Sequence, residues 1–283
     1  MKKVALFFTI ILTSSLMNTV WALGKTGHRV VGQIASNHLT AAAKKAVSEI
    51  LGNDGLAEVG NWPDFMRSNE HPFWNKYSTS WHYVSIEDGQ TYATSKKNPK
   101  GDIYVAINAF VDILSDKPLK DGPIKKGLTF YYGDLNTREN KIRLKRFALK
   151  FLDHLIGDLH QPLHTGHKAD QGGNKIKVEY FGQPSNLHAV WDSGLIDSSQ
   201  LSYTELVNFI ETDNNELIKK IQNSTVSDWI NESLLLRKNA YKVGNKHFRY
   251  HYYYKNYPIM QQQMLKAGLR LAAVLNRIFK QKK

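Results

Sequence analysis

Two histidines and an aspartate lie close together in the stretch FLDHLIGDLHQPLH, which covers residues 151–164. Apolar residues recur there at helical spacing, which predicts a helix that continues up to the Gln-Pro pair. His154 and Asp158 are four residues apart, so the helix places both side chains on one face, within reach of one ion. Pro162 stops the helix, and His164 therefore approaches the same point from another direction.

A histidine and an aspartate at this spacing are often only a surface hydrogen bond, and the motif taken alone favours that interpretation. The spacing recurs in NLHAVWD, where His188 precedes Asp192 by four residues. Imidazole nitrogen and carboxylate oxygen form a ligand set suited to zinc. The repetition therefore favours a metal site.

The N-terminus has the pattern of a secretory signal peptide over residues 1–22. Lys2 and Lys3 precede an apolar run from Val4 to Leu12, and a Val-Trp-Ala cleavage site ends at Ala22. The run is too short to cross a bilayer, and no other stretch approaches the roughly 20 apolar residues of a membrane helix. We expect cleavage after Ala22, with an uncleaved anchor as the less favoured alternative, and a soluble protein that is secreted or periplasmic.

Composition narrows the chemistry. The chain has 283 residues and no cysteine, so any metal must be held by histidine, aspartate, glutamate or the backbone. Roughly 260 residues follow the signal, which is enough for one core without disulfides. The formal charge of +13 falls by only two on cleavage and suggests a polyanionic partner, either nucleic acid or anionic lipid. A merely basic, soluble surface is the alternative.

Helical patterns account for most of the mature chain. We predict a mainly α fold, a single multi-helix domain over residues 23–283 with one small β-hairpin. Helices are expected over about 28–51, 102–115, 137–160, 203–220, 226–242 and 257–279. The alternation of Ile176, Val178 and Tyr180 after a Gly-Gly-Asn turn predicts the hairpin, and residues 116–127 read as a loop. The segment FRYHYYYKNY at 248–257 suits base stacking, although core packing with a basic rim is favoured.

Three further positions have ordinary explanations when taken singly. His28 begins the first predicted helix, and helix entry alone accounts for it. Asp64 follows a Trp-Pro pair, where helix capping and metal ligation are evenly matched. His82 lies between large rings in WHYV, where a core histidine with one hydrogen bond is the usual case. These positions become significant only beside other ligands.

Seven motifs follow one another through nearly the whole mature chain: LGKTGH, NWPD, WHYV, HLIGDLHQPLH, GGNKIKVEYFG, NLHAVWD and AGLRLAAVLN. In their order and spacing the chain resembles the zinc-dependent, single-strand-specific nucleases, typified by mung bean nuclease and the fungal type I nucleases. This family belongs to the superfamily of the zinc phospholipases C. The order of the motifs makes the resemblance far more specific than a lone His-x-x-x-Asp pair.

The resemblance implies a mainly α-helical fold with three zinc ions in one cleft. It assigns Asp64, His82, His154 and Asp158 to the first zinc, His164, His188 and Asp192 to the second, and His28, the shared Asp158 and the α-amine and carbonyl of Leu23 to the third. It also places Asp64, Arg67 and Asp158 in catalysis, with Arg67 on the phosphate and Tyr83 stacked on a base. The family's mature chain begins with tryptophan where this one has Leu23, but backbone atoms supply that ligation.

The chemistry of such a centre is phosphodiester hydrolysis. Zinc lowers the pKa of bound water to about 7 and neutralises charge on phosphoryl oxygens, which supplies a hydroxide nucleophile at neutral pH. Cleavage of the P–O3′ bond leaves a 5′-phosphate, and 3′-nucleotidase activity follows from the same geometry. Stacking on Tyr83 requires an unstacked base, so we expect single-stranded DNA and RNA and 3′-nucleotides as substrates. No stable protein partner is implied.

Two alternatives stay open at this stage. A zinc-dependent phospholipase C would share the fold and the metals, but its last metal carboxylate is characteristically glutamate, where this chain has Asp192. The basic charge of the mature chain also favours nucleic acid over lipid. The alternative from another class is a catalytically silent zinc-binding or nucleic-acid-binding protein.

Overall fold

The computed structural model describes residues 23–280, so the predicted signal peptide at residues 1–22 lies outside the described residues. In chain order the helices are α1 (Gly24–Asn37), α2 (Ala41–Leu51), α3 (Leu56–Val59), α4 (Trp62–Met66), α5 (Phe73–Lys76), α6 (Ile103–Leu114), α7 (Pro123–Tyr132), α8 (Arg138–Leu159), α9 (Leu187–Ala189), α10 (Leu195–Asp197), α11 (Tyr203–Ile210), α12 (Asn215–Gln222), α13 (Val226–Ala240) and α14 (Tyr250–Ile278). Short 3₁₀ turns cover Ser78–His82 and Pro162–Thr165, and a π turn covers Val190–Gly194. The prediction of a mainly α single domain is confirmed.

The predicted hairpin is present, and it belongs to a slightly larger sheet. Strands β1 (Lys177–Tyr180) and β2 (Gln183–Asn186) pair antiparallel around a tight turn at Gly182, whose φ of 82° suits glycine. Strand β3 (His247–Phe248) pairs parallel to β1 from the far end of the chain. Two residues are too few for an alternating pattern, so the sequence did not predict β3.

Several element boundaries differ from the predictions. The helix expected over 28–51 is broken after α1, because Thr40 caps a new helix by accepting a hydrogen bond from the Ala43 N–H. The region expected as one helix over 203–220 is likewise divided, with Asn214 capping α12. The predicted loop at 116–127 is wrong in its second half, since Pro123 occupies the first turn of α7, a position that proline favours.

The last helix begins earlier than predicted, at Tyr250, and it continues through Pro258. The ring-rich segment before the proline therefore forms the first turns of α14. Phe248 and Tyr252 are buried and stacked with centroids 3.7 Å apart, as core packing requires. Tyr250 and Tyr254 are each 79% exposed. The preferred packing interpretation holds for one face of this segment.

Helix α8 runs through the middle of the core. Thr137 caps its N-terminus, and the helix ends just before Gln161 and Pro162, as predicted. Phe147 and Phe151 stack with centroids 4.5 Å apart within a cluster of buried rings, and nearly every residue after Leu149 is buried. The C-terminal half of α8 is therefore surrounded by protein, and its polar side chains are part of the core.

None of the helices in residues 23–280 is long and apolar enough to cross a membrane.

Helices α1 and α14 pack at very close range. A Cβ added at Gly268 of α14 would lie 2.5 Å from Cβ of Ile34 and 3.0 Å from the carbonyl oxygen of Val31. Real Cβ atoms do not approach so closely, so only glycine allows this crossing. The crossing matters for the site, because α1 also carries His28.

We therefore predict that Gly268→Ala destabilises the fold by up to about 2 kcal/mol, since overpacking costs about 1–3 kcal/mol and the helix-propensity gain offsets only about 1 kcal/mol of it. Urea unfolding of the variant and the wild-type protein measures the difference. An increase in stability, as helix propensity alone would produce, would contradict the close approach of the two helices.

Candidate metal centre

Three groups of buried histidines and aspartates lie together in the core. In each group the candidate ligand atoms are within 4.8 Å of one another: His28, His154 and Asp158; Asp64, His82 and His154; and His164, His188 and Asp192. All eight side-chain ligands that the resemblance implies are thus brought into these groups. The first two groups share His154. The third group adjoins them through His164, whose Nδ1 is 4.0 Å from Oδ2 of Asp158, so the three groups form one centre.

Asp158 lies at the junction of the groups. One of its oxygens, Oδ2, is 2.9 Å from Nδ1 of His82 and 3.2 Å from Nε2 of His154. The other oxygen, Oδ1, is 3.4 Å from Nε2 of His28, and Oδ2 is also 4.0 Å from Nδ1 of His164. The carboxylate has no solvent exposure. The carboxylate therefore has histidines of all three groups around it.

Three of the histidines are oriented by backbone carbonyl groups. The Nδ1 atoms of His154, His164 and His188 lie 2.6–2.7 Å from the carbonyl oxygens of Gly60, His82 and Gly172. A histidine that donates one N–H to a carbonyl presents its other nitrogen, Nε2, as a lone-pair donor. This is the arrangement that metal-ligating histidines require.

The second His-x-x-x-Asp pair has its own support. His188 Nε2 is 3.3 Å from Asp192 Oδ2, and His164 Nε2 is 3.7 Å from Asp192 Oδ1. The side-chain amide of Gln161 donates to Asp192 Oδ1 at 2.7 Å, while its oxygen accepts from the Leu163 N–H. Both ends of Gln161 are thus used, and the carboxylate is held in one orientation.

Leu23 lies at the start of α1, fully buried beside His28. A Cβ added at Gly157 of α8 would lie 2.8 Å from Nδ1 of His28 and 3.4 Å from Cδ2 of Leu23. Helix α1 therefore begins against the helix that carries Asp158. The first residue after the predicted cleavage site is adjacent to the centre, as the resemblance implies.

The unsatisfied polar atoms of the centre test whether it suits a cation. Buried atoms with no hydrogen-bond partner include both ring nitrogens of His28, Nε2 of His82 and His164, Oδ1 of Asp158 and Oδ2 of Asp192. Buried polar atoms are normally hydrogen-bonded, and such a cluster needs an explanation. Nitrogen and carboxylate oxygen without sulfur suit zinc, so the residues fit the metal that the resemblance implies.

The charges of the centre are mutually dependent. Burial alone would lower the pKa of His154 and His164, but Asp158 acts on both and raises each pKa to about 9, with help from Asp64 and Asp192 respectively. Burial opposes charge on Asp158 as well, yet the two histidines hold its pKa well below the usual range.

For the other histidines of the centre the balance is reversed. Burial is the largest effect on His28, His82 and His188, and it lowers the pKa of each below the usual value despite the nearby carboxylates. These three imidazoles are neutral at pH 7, which is the form that binds metals. A metal ion bound by His154 and His164 would displace a proton from each imidazole, and these protons would be released to solvent.

A cleft of about 380 Å³ opens onto the centre. His82, His164 and His188 lie at its base, and Arg67 and Tyr83 are in its walls. Arg67 is one helical turn from Asp64, with Nη1 3.6 Å from Oδ1 of that carboxylate. Tyr83 is 39% exposed. Both residues that the resemblance implies in substrate binding therefore face the space beside the ligands.

Comparison with known proteins agrees with this geometry. The model of the S1/P1 nuclease family matches residues 23–280. The chain belongs to the S1/P1 nuclease family. Endonuclease 4 and Endonuclease 3 of Arabidopsis thaliana are 29% and 30% identical to it, with 98% and 97% of this chain and 95% of each relative covered. Nuclease S1 of Aspergillus oryzae is 25% identical, with 95% of this chain and 96% of the relative covered.

Membership of the S1/P1 nuclease family confirms the resemblance and identifies the protein as a hydrolase of nucleic acids. The protein is therefore an enzyme and not a catalytically silent binding protein. The three buried groups show where a metal can be held in this S1/P1 nuclease.

Sequence reasoning missed the groups that orient the ligands. Gln161 appeared in the sequence only as a helix stop, although its amide holds Asp192. The one sequence signal for this role was its position between the end of α8 and Pro162. A residue there no longer follows the helix, so its side chain can point toward the ligands. The carbonyl groups of Gly60 and Gly172 carry no sequence signal, since every residue has one.

We predict that Gln161→Leu lowers the affinity for zinc at the His164 group by about 10- to 100-fold, the usual effect of losing an outer hydrogen bond to a ligand. Competition with a chromophoric chelator measures the zinc affinity. Gln183→Leu, at an exposed position of β2, is the control and should bind zinc normally. Unchanged affinity in Gln161→Leu would show that Asp192 needs no support.

Proposed function

We propose that this enzyme is a zinc-dependent nuclease that cleaves single-stranded DNA and RNA to 5′-phosphate products and also removes the phosphate of 3′-nucleotides. The observation that carries the proposal is the convergence of three buried nitrogen and oxygen ligand groups on one carboxylate, Asp158, beneath an open cleft. A centre of this composition at the base of a cleft suits a phosphodiester, which is anionic and needs local positive charge to react.

Asp64, His82, His154 and Asp158 would hold a first zinc, His164, His188 and Asp192 a second, and His28, Asp158 and the backbone of Leu23 a third. Bound zinc supplies a nucleophile from water at neutral pH and neutralises charge on the phosphoryl oxygens and the leaving group. Asp158 is the one side chain that both the first and the third set would use. Asp64, beside Arg67, would contribute a further carboxylate to the first group.

The remaining functions fall to side chains in the cleft walls. Arg67 presents a planar fork of N–H donors, which pairs with two oxygens of one phosphate. Its proximity to Asp64 limits the directions in which the fork can point. Tyr83 offers a ring face on which a base can stack. A duplex keeps its bases stacked and paired, so a single strand or an unpaired nucleotide occupies this cleft at a lower free-energy cost.

The proposed location is outside the cell or in the periplasm, after removal of residues 1–22. This supports the proposed third site directly, because cleavage after Ala22 leaves the α-amine of Leu23 at the start of α1, beside His28. An amine is a zinc ligand only when it is free. Cleavage of the peptide bond between Ala22 and Leu23 would thus be needed both to remove the signal peptide and to complete the metal centre.

The substrate proposal is tested by assaying the zinc-loaded protein on single-stranded DNA, the matching duplex, a 3′-mononucleotide and phosphatidylcholine. We expect hydrolysis of the single strand and the 3′-nucleotide, little hydrolysis of the duplex, and 5′-phosphate ends on the products. Hydrolysis of phosphatidylcholine with intact DNA would overturn the assignment in favour of a phospholipase C.

The metal site is tested in the same assay with His154→Ala. Even outer hydrogen bonds to ligands contribute 10- to 100-fold, so loss of this ligand should reduce activity by more than about 100-fold. Circular dichroism should still show the helical spectrum. His251→Ala removes an exposed histidine of α14 and serves as the matched control, with activity unchanged.

For the third site we predict that a single alanine placed before Leu23 removes one zinc per chain and most of the activity, because the new residue converts the ligating amine into a peptide nitrogen. Two proteins that differ only in this residue are compared by zinc analysis of the dialysed material. Equal zinc content in the two forms would exclude the backbone of Leu23 as a ligand.

A further inference from the structure

The walls of the metal cleft carry two cationic side chains and no carboxylate within residues 23–280. Arg67 is the first cation, beside Asp64 of the first ligand group, and Lys168 is the second. Lys168 lies four residues after His164 and four before Gly172, whose carbonyl orients His188. Arg67 is therefore next to the group that contains Asp64, and Lys168 is next in the chain to the group that contains His164.

The loop that carries Lys168 is firmly held. The ring of His167 stacks on Tyr241 with centroids 4.7 Å apart, and its Nε2 is 3.2 Å from Asp88. Asp170 accepts hydrogen bonds from the Tyr241 hydroxyl and from the Gly173 N–H. The residues on either side of Lys168 are thus anchored to the body of the protein.

A second clamp fixes the start of this loop. Arg237 of α13 is buried, and its guanidinium donates to the carbonyl groups of Thr165 and Ile86 and, at 2.8 Å, to Asp88. The backbone N–H of Lys168 itself donates to Glu87 at 3.2 Å. Loop and ligand segments therefore form one rigid unit, and the lysine side chain begins from a fixed point.

The ammonium group of Lys168 differs from its surroundings. The side chains of His167 and Asp170 have partners, but no carboxylate or carbonyl of the described residues pairs with the Lys168 ammonium, and Lys168 is exposed. The nearby Glu87 already accepts from the backbone N–H. A cation without a counterion, on a fixed loop beside a cleft without acids, is well placed to bind an anion from solution.

We infer that Lys168 binds the phosphate next to the scissile one, so that the cleft contacts two successive phosphates of a single strand. This inference rests on the proposed function. Arg67 would serve the phosphate at the metal centre and Lys168 a neighbouring phosphate beyond the His164 group. A 3′-mononucleotide has one phosphate, a monoester, and no second phosphate for Lys168 to bind, so Lys168 is a specificity residue for polynucleotides over mononucleotides.

The test compares Lys168→Gln with the wild-type protein on a single-stranded oligonucleotide and on a 3′-mononucleotide, across a series of salt concentrations. One lost phosphate contact should reduce the slope of log KM against log salt by about 0.7, and kcat/KM for the oligonucleotide should fall roughly tenfold at low salt, mainly through KM. Hydrolysis of the mononucleotide should not change.

Two further variants complete the design. Lys120→Gln removes the same charge from an exposed position outside the cleft and should leave the slope unchanged. Lys168→Arg keeps the charge and should restore oligonucleotide binding. An unchanged oligonucleotide slope in Lys168→Gln, or an equal loss on both substrates, would overturn the inference. Failure of the wild-type protein to cleave either substrate would instead refute the proposed function.

Discussion

A buried carboxylate, Asp158, is the constraint on which the rest of the structure depends. A charge without solvent contact is costly unless groups of opposite sign surround it. His82, His154 and His28 lie within 2.9–3.4 Å of its oxygens, and His164 lies at 4.0 Å. His28 and His82 come from segments far from Asp158 in the chain, so the fold must bring two remote regions to the segment that carries His154, Asp158 and His164. The histidines that stabilise the carboxylate also direct ring nitrogens toward a common space. The contacts that pair the buried charge are therefore the same contacts that gather the candidate metal ligands.

Three of the eight candidate ligands lie in short turns and not in α-helices. His82 ends a 3₁₀ turn, His164 lies within another, and Asp192 lies in a π turn, whereas His154 is in a regular helix. Tight and wide turns redirect side chains over a few residues, and π turns in particular occur at functional sites. Regular helices then fix these turns in space: α8 through its ring cluster and α1 through its crossing with α14 at Gly268. The long helices thus fix where the candidate ligands lie, and the short turns fix the direction in which their side chains point.

Much of this could be predicted from local patterns, and the rest could not for identifiable reasons. The spacing of His154 and Asp158 and its repeat at His188 revealed the centre, because both pairs lie within a few residues of chain. The helical period also predicted α6 and α8 to within one residue at each end. Convergence of remote segments leaves no local signal, so His28 needed the family resemblance. The break before Thr40 was missed because apolar residues keep the helical period across it, and local capping decided the outcome.

Asp153 shows how strongly neighbours, rather than burial, decide charge in this core. It lies on α8 only five residues from Asp158, and both carboxyl groups are fully buried. Asp158 is surrounded by histidines and stays ionised, whereas neither oxygen of Asp153 has a hydrogen-bond partner and burial raises its pKa well above the usual range. Burial therefore outweighs the effect of His154, which lies next to Asp153 in the chain and lowers the pKa of that carboxyl group. Negative charge is thus favoured on Asp158, the carboxylate that lies among the histidines, and disfavoured on Asp153.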